Sequence, residues 1–483
     1  MTGRSLRLLA LACSSVLADA CGGGSSPAGA TSAAGGPSSF QGSVVLGSPT
    51  GTTIRASVYS ADQGGSFSFQ IGTSPGVYDR ETAAVTIAAG QPQAVSVVGL
   101  QPDTRYYYRL AWRTTGGGSA TTEERSFHTA RPSGSTFAFT VQADSHLDEN
   151  SDLELYRRTL SNVRADAGDF HVDLGDTFMC EKHTAPLTAT QQTAGDQATV
   201  DARYAYERAN FGLVGVPLFL VNGNHEGEAG WFANGTSENL AVWATKARQR
   251  FYLNPPPDVF YDGDATSEPF VGQRASCYAW HWGDALLVVL DPYWASRTKD
   301  NQDPWGLTLG EAQYRWLERT LASSGAAFKL VFVHSLVGGL DGQMRGGVEA
   351  APYFEWGGRG ADGRDSFAAR RPGWGRPIHA LLVRYGVTAV FHGHDHLYAR
   401  QELDGVVYQE VPQPSARNTS SGSSLAAQYH YTSGTILSSS GHLRVTVSPE
   451  RLTCEYVRAW LAANETTVRR NGQVDDSWSV GRR

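Results

Sequence analysis

The stretch Val390-Phe391-His392-Gly393-His394-Asp395-His396 (VFHGHDH) places three imidazoles within seven residues, directly after the apolar run 387–391. A short apolar run of this kind is typical of a buried strand. Side chains two residues apart in an extended segment project to the same side, so His394 and His396 face the same way. His392 precedes the glycine turn, and we interpret it as a buried histidine or one that supports a ligand from behind. The stretch predicts a ligand site at the end of a strand.

Apolar runs alternate with helical patterns along residues 135–465, with helices expected over 153–165, 309–321 and 377–385. This alternation predicts an α/β domain whose strands are covered on both faces. Beyond residue 399 the runs indicate a more antiparallel half, and residues 466–483 are expected to form a tail. The predicted strands of the first half are 137–141, 170–174, 217–221, 285–290, 330–333 and 387–391.

Five of these strands are followed directly by residue types that bind metals. Ligands bind beyond the carboxyl ends of the strands in an open α/β sheet, so the five groups are expected to meet. A lone Asp-x-His or Gly-Asp usually caps a turn, but all five groups in order are far more informative. The groups are Asp144-Ser145-His146, Gly175-Asp176, Gly223-Asn224-His225-Glu226, His334 and Gly393-His394-Asp395-His396.

Residues 43–130 follow a different pattern, with short alternating runs rich in Ser, Thr, Gly and Val. Such runs, broken by turn residues, predict an all-β sandwich. The segment GLQPDTRYYYRLAW (99–112) resembles the late-strand signature of fibronectin type III domains. The domain contains no group of ionisable side chains that suggests chemistry, so we interpret it as a spacer or packing domain. The segment RPSGS (131–135) marks the expected boundary.

The first twenty residues are typical of an export signal, with an apolar stretch over 8–18 and an A-x-A site at 18–20. Cys21 and a flexible linker to residue 42 follow. A cysteine at the cut resembles a bacterial lipoprotein, so two alternatives stay open: a membrane tether through lipidated Cys21, or simple secretion. The protein is expected to be exported, as a periplasmic, outer-surface or secreted bacterial protein. If Cys13 leaves with the signal and Cys21 is lipidated, three cysteines remain, which allow one disulfide at most.

The ordered pattern D-x-H, G-D, G-N-H-E, H and G-H-x-H resembles the calcineurin-like metallophosphoesterase superfamily. With a sandwich in front, the chain is most similar to the purple acid phosphatases and their bacterial relatives. The resemblance implies an α/β fold in which a β-sandwich is flanked by helices (αββα), preceded by the all-β fibronectin type III-like sandwich. It also implies a pair of divalent metal ions. One would be held by Asp144, His146, Asp176 and His396, and the other by Asp176, Asn224, His334 and His394.

The resemblance further implies hydrolysis of phosphate monoesters by a metal-bound hydroxide, with a bridging carboxylate at Asp176 that reduces the repulsion between the cations. His225, beside Asn224, is expected to protonate the leaving group. Arg345 lies in a glycine-rich segment and is a candidate to bind phosphate oxygens, although a solvated surface arginine is the simpler interpretation. Asp395 is expected to point away from the ligands.

One position departs from the purple acid phosphatases, which carry a tyrosine three residues after the bridging aspartate. This chain has Met179 there. A thioether cannot supply the tyrosinate that colours those enzymes, so a colourless site suited to Zn, Mn or Fe(II) is expected.

Charge and composition restrict the classes of molecule that the protein is expected to bind. The formal net charge is -7 and we find no cluster of Lys and Arg, which argues against a nucleic-acid-binding surface. The family resemblance implies a small phosphorylated substrate. Two other functions stay open: a phosphodiesterase on nucleotides or lipid head groups, and a non-catalytic binding protein with a relict metal site. The complete set of ligand residues argues against the non-catalytic protein, because a relict site should have lost at least one of them.

Overall fold

The computed structural model of the chain describes residues 39–148, 151–188, 191–299, 303–340, 344–417 and 422–482. The expected signal peptide, Cys21 and most of the expected linker lie outside the described residues. Within the described residues, no helix combines the length and apolar character needed to cross a membrane. Cys180, Cys277 and Cys454 are buried free cysteines.

Residues 43–128 form two antiparallel sheets around one hydrophobic cluster, which confirms the all-β prediction for this part. Its strands are β1 (Ser43–Gly47), β2 (Thr53–Tyr59), β3 (Gly65–Gly72), β4 (Arg80–Glu81), β5 (Val85–Ile87), β6 (Gln93–Val98), β7 (Arg105–Thr114), β8 (Ser119–Thr121) and β9 (Arg125–His128). One sheet has the order β1-β2-β6, and the other has the order β4-β3-β7-β8, with β5 on β3 and β9 on β7. The Tyr106 hydroxyl accepts a hydrogen bond from the Gln101 N–H (2.8 Å) and so fastens the turn before β7.

The rest of the chain contains two larger sheets. Their strands are β10 (Phe137–Gln142), β11 (His171–Asp173), β12 (Leu218–Leu220), β13 (Asp262–Gly263), β16 (Tyr278–Trp282), β17 (Ala285–Val289), β18 (Phe328–Phe332), β19 (Ala389–His392), β20 (Tyr398–Leu403), β21 (Val406–Glu410), β22 (Thr435–Leu437), β23 (Gly441–Val447), β24 (Arg451–Arg458) and β25 (Val474–Gly481); β14 (Ser267–Glu268) and β15 (Gly272–Gln273) form a separate hairpin. The orders are β12-β11-β10-β23-β24-β25 and β13-β16-β17-β18-β19-β21-β20-β22. β10, β11 and β12 are parallel to one another, as are β17, β18 and β19.

The two large sheets pack face to face, and helices cover their outer faces, which confirms the predicted αββα fold. Aromatic side chains such as Phe139, Phe170 and Phe332 fill the space between the sheets. α1 packs against β23 of the first sheet and shares an apolar cluster with α2 and the loop after it, and α4 packs against the second sheet. The helices are α1 (Leu153–Ala165), α2 (Gln197–Phe211), α3 (Leu240–Phe251), α4 (Glu311–Ser323), α5 (Phe354–Gly357), α6 (Phe367–Arg370), α7 (Ile378–Arg384) and α8 (Gly422–Gln428), with 3₁₀ turns at Gly230–Phe232, Pro304–Gly306 and Ala462–Asn464.

The segment expected to be a tail, 466–483, contains the edge strand β25, which pairs antiparallel with β24. Trp478 on β25 is buried, and its Nε1 donates to Gln409 Oε1 (2.8 Å). The sequence VDDSWSVG gives little sign of a strand because an edge strand needs few apolar side chains, and this one buries a single residue. The tail interpretation is therefore wrong for residues 474–481.

α2 joins the N-terminal sandwich to the rest of the molecule. The buried guanidinium of Arg208 donates to Ser43 Oγ, to Ser57 Oγ and Ser57 O, and to Phe251 O. Burial lowers the pKa of Arg208 to about 10. Five residues earlier on the same helix, Arg203 pairs with Asp148, in the loop that follows β10. The helix thus connects the sandwich to a loop of the candidate site.

Candidate metal centre

The carboxyl ends of β10, β11, β12, β18 and β19 meet at one edge of the two sheets, as the sequence predicts. The first sheet supplies four of the predicted ligands and the second sheet supplies three. In the described residues, two groups of side chains have donor atoms close enough to share an ion: Asp144, His146 and His396 in one, and Asp176, His334 and His394 in the other. Asn224 lies beside them in the loop after β12, with its side chain buried.

Five of the predicted ligands have left-handed backbone conformations. The φ angles are +61° at Asp144, +42° at His146, +54° at Asp176, +84° at His394 and +60° at His396. Non-glycine residues rarely occupy this region, which costs about 1–3 kcal/mol per residue and persists only where the surroundings enforce it. Its concentration here indicates that the strand ends are bent to aim side chains at a common point.

Two glycines of the motifs allow the carboxylates to approach the neighbouring backbone. A Cβ atom on Gly223 would overlap Asp176 Oδ1 and lie 2.7 Å from Glu226 Oε2. A Cβ atom on Gly393 would lie 2.6 Å from Asp144 Oδ2, which instead accepts a hydrogen bond from the His394 N–H (2.8 Å). The glycines are therefore needed for close approach, in addition to the turns the sequence predicts.

The first group is held by the loop after β10 and the segment after β19. His146 Nε2 lies 3.0 Å from His396 Nε2. Asp144 Oδ1 lies 3.7 Å and 3.6 Å from these two nitrogens. Three donor atoms thus surround one small volume.

The second group is deeper. His334 Nδ1 lies 2.9 Å from the Leu174 carbonyl oxygen, so the proton on this ring sits on Nδ1 and Nε2 keeps its lone pair when the ring is neutral. His334 Nε2 lies 3.2 Å from His394 Nδ1 and 3.0 Å from Asp176 Oδ2. The same Asp176 oxygen lies 3.8 Å from His146 Nε2, in the first group. Asp176 therefore faces both groups.

When His334 is neutral with its proton on Nδ1, three buried oxygens at this place accept no hydrogen bond: Asp144 Oδ1, Asp176 Oδ2 and Asn224 Oδ1. A buried acceptor without a partner is costly, and a cation is one means of satisfying it. Carboxylate, amide and imidazole donors together suit divalent transition metals. The side chains present therefore fit metal ions.

The electrostatic field favours positive charge. Burial raises the pKa of the Asp176 carboxyl, but the imidazoles of His334 and His225 outweigh burial and leave this pKa well below its ordinary value. Burial lowers the pKa of His334, but Asp176 and Asp144 outweigh it and raise this pKa to about 10. The carboxylates thus stabilise a cation here, and a bound metal would take the place of the proton on His334.

His225 lies beside the two groups without belonging to either. The backbone N–H of His225 donates to Asp176 Oδ1 (2.9 Å), and the ring nitrogen Nε2 lies 3.9 Å from Asp176 Oδ2. Its Nδ1 is hydrogen-bonded to the Glu181 carboxylate. Sequence reasoning missed Glu181, because it belongs to none of the motifs and meets His225 only through the fold.

Glu226 ends the G-N-H-E group, and the sequence assigns it no role. Its Oε1 accepts from the Thr177 N–H (2.7 Å), and its Oε2 accepts from the Gly223 N–H (2.7 Å). Burial, together with the Asp176 charge, raises the pKa of Glu226 to about 8. It ties the loop after β11 to the loop after β12, and the position of Glu226 in the motif was the signal that could have revealed this.

The remaining predicted residues lie around this centre. His392 is buried, with Nδ1 2.6 Å from Glu410 Oε2, which confirms the prediction that it is a buried histidine. Met179 is buried, and its N–H donates to Asp148 Oδ2 (2.6 Å). Arg345 Nη1 donates to the His394 carbonyl oxygen (2.5 Å) and lies 3.2 Å from Asp395 Oδ1.

Comparisons with known proteins agree with this geometry. Residues 137–398 match the model of the calcineurin-like phosphoesterases. The solved structure of PhoD is similar, with a TM-score of 0.64 and 13% identity, covering 91% of this chain and 90% of that one. The purple acid phosphatase PPD1 from yellow lupin (Lupinus luteus) seeds has a TM-score of 0.58 and 16% identity, covering 91% of this chain and 74% of that one. At these identities the two structures establish likeness of fold. No curated protein matches the chain.

Proposed function

Because the chain belongs to the calcineurin-like phosphoesterase family, whose members are metal-dependent phosphoric ester hydrolases, we propose that it is an exported phosphatase that hydrolyses phosphate monoesters with a pair of divalent metal ions. The observation that carries the proposal is the position of Asp176. A single carboxylate oxygen lies 3.0 Å from His334 Nε2 and 3.8 Å from His146 Nε2, and so faces a donor from each group. An anion in this place supports a bridge between two cations.

The proposed ligand sets keep the predicted assignment. The first set adds Asp176 to the first group, and the second set adds the unpartnered amide oxygen of Asn224 to the second group, which already contains Asp176. The metals proposed are Zn, Mn or Fe, since nitrogen and oxygen donors suit all three. Met179 supplies no phenolate, which supports a site without the colour of the purple enzymes. The sets are Asp144, His146, Asp176 and His396, and Asp176, Asn224, His334 and His394.

When bound, the metal pair would supply a nucleophile from water near neutral pH and neutralise charge on the phosphoryl oxygens. The side chains of the protein perform the remaining tasks. His225 would give a proton from Nε2 to the leaving oxygen, while the Glu181 carboxylate holds the ring through Nδ1. Asp176 accepts from the His225 backbone and so fixes the distance between the acid and the metal centre.

A comparison of two substrates tests the monoester assignment. The similar yellow lupin protein is named an acid phosphatase, which supports monoesters. We expect a higher kcat/KM on p-nitrophenyl phosphate than on bis-p-nitrophenyl phosphate, measured at equal metal loading. The opposite ranking would assign a phosphodiesterase. Bound metal without turnover on either ester would favour a binding protein. The Asp144→Asn variant is the control for activity from contaminating enzymes.

Export is proposed from the first twenty residues of the sequence. The mass of the mature N-terminus, measured on protein recovered from cell fractions of the natural host, tests it. A chain that begins at a lipid-modified Cys21 is the form expected for a tethered protein, and an unmodified cut chain is the form expected for secretion. A chain that keeps residue 1 would reject export.

A further inference from the structure

Asp395 lies between two proposed ligands, yet its carboxylate bonds to other segments of the chain. The residue is 1% exposed. Asp395 Oδ2 accepts from the Gly346 N–H (2.8 Å) and from the Tyr431 hydroxyl (2.7 Å). Its own N–H donates to Glu410 Oε1 (3.0 Å). Three distant segments therefore meet at the residue that separates His394 from His396.

Arg345 completes this arrangement. Its Nη1 donates to the His394 carbonyl oxygen (2.5 Å) and lies 3.2 Å from Asp395 Oδ1. Its guanidinium lies over the Tyr429 ring, 4.3 Å from the centroid, and its side chain is 18% exposed. One side chain thus holds both the backbone and the carboxylate of the ligand segment.

The ligand segment needs such support. His394 and His396 both have positive φ, a conformation that persists only where the surroundings enforce it. The His394 carbonyl oxygen and the Asp395 N–H belong to the peptide unit that follows His394, and both are hydrogen-bonded, which restricts the rotation of this unit between the two imidazoles. Arg345 also balances the buried charge of Asp395, because an unpaired buried carboxylate would be strongly unfavourable.

We infer that Arg345 and Asp395 form a clamp that fixes the orientation of the His394 and His396 imidazoles for metal binding. This inference rests on the proposed function, since it assumes that the two imidazoles are ligands. Arg345 is then a positioning residue that acts through Asp395 and the His394 backbone. The sequence offered a different role for Arg345, the binding of phosphate oxygens.

Cobalt(II) binding to the full chain, freed of metal beforehand, tests the clamp. Groups that orient metal ligands typically contribute 10–100-fold to metal affinity. We therefore expect Arg345→Met to weaken cobalt affinity by about 10–100-fold and to change the visible absorption of the bound ion. Arg345→Lys keeps the charge and should recover part of the loss. The double variant Arg345→Met/Asp395→Asn should lose no more cobalt affinity than the sum of the two single losses, because both residues belong to the same clamp.

The matched control is Arg131→Met. Arg131 has a similar side-chain exposure, 19%, and pairs with Asp169 (2.6 Å) before β11, at the far end of the strand from the site. The cobalt affinity and the spectrum of the Arg131→Met variant should equal those of the wild type. If Arg345→Met also equals the wild type in both, the clamp is refuted; a raised KM on p-nitrophenyl phosphate would then assign Arg345 to the substrate. A wild type that binds no cobalt would refute the proposed function and the clamp together.

Discussion

Replacing His225 with alanine should slow hydrolysis of esters with poor leaving groups while the metal centre stays intact. The imidazole stands outside both groups of donors, so its loss removes no proposed ligand. Its Nε2 lies 3.9 Å from Asp176 Oδ2, beside the proposed metal centre, which is the space proposed for the leaving oxygen. The Glu181 carboxylate bonds to Nδ1 and directs Nε2 towards that space.

The expected loss of kcat follows from the contribution that a general acid makes to the rate. A positioned general acid contributes about 10²–10⁴-fold to the rate, which corresponds to about 2.7–5.4 kcal/mol at 1.36 kcal/mol per factor of ten. The His225 side chain is 10% exposed, so bulk water is a poor replacement for it. We expect kcat on an alkyl phosphate to fall by at least about 10²-fold. On p-nitrophenyl phosphate, whose leaving group needs no proton, the fall should be below about tenfold.

The assay measures kcat on both esters for the wild type, His225→Ala and Glu181→Gln, with metal content determined on the same samples. Glu181→Gln should show a smaller loss with the same dependence on the leaving group, because it disturbs the orientation of the ring without removing it. His430→Ala, at an exposed position, is the control. Equal losses on the two esters, or a loss of metal from His225→Ala, would refute the acid role.

Two further substitutions test the site and its scaffold. Gly223→Ala should lose metal and activity, since its Cβ would overlap Asp176 Oδ1, whereas Gly325→Ala, with open space around it, should behave as wild type in both assays. Burial lowers the pKa of His171 to about 3, so only the unfolded chain gains this proton as the pH falls from about 6.5 towards 3. The wild type should therefore lose about 2 kcal/mol of unfolding free energy through this residue between pH 7 and pH 5. Urea titrations should show a weaker pH dependence for His171→Gln; an unchanged dependence would refute this contribution.

Much of the site could be predicted from the sequence because its parts are local. Each proposed ligand follows a strand directly, so an apolar run and the polar residues after it are sufficient to place the ligand at the sheet edge. The left-handed angles at His394 and His396 could not be predicted, because neither residue type demands them.

The contacts that support the ligands could not be predicted, because they join residues that are distant in the sequence. Glu181 meets His225 across 44 positions, and Tyr431 meets Asp395 across 36. Neither partner belongs to a motif, and nothing in the local sequence marks it. The contacts of Arg345 with His394 and Asp395 could not be predicted for the same reason, because they join residues 49 and 50 positions apart.

The bridged metal pair is tested most directly by titrating the metal-free chain with a single divalent cation in a calorimeter. Two equivalents should bind per chain. Asp176→Asn should weaken the binding of both, because this carboxylate faces a donor from each group. A wild type that binds one equivalent or none, or an Asp176→Asn variant that binds two equivalents with unchanged affinity, would contradict the bridged metal pair.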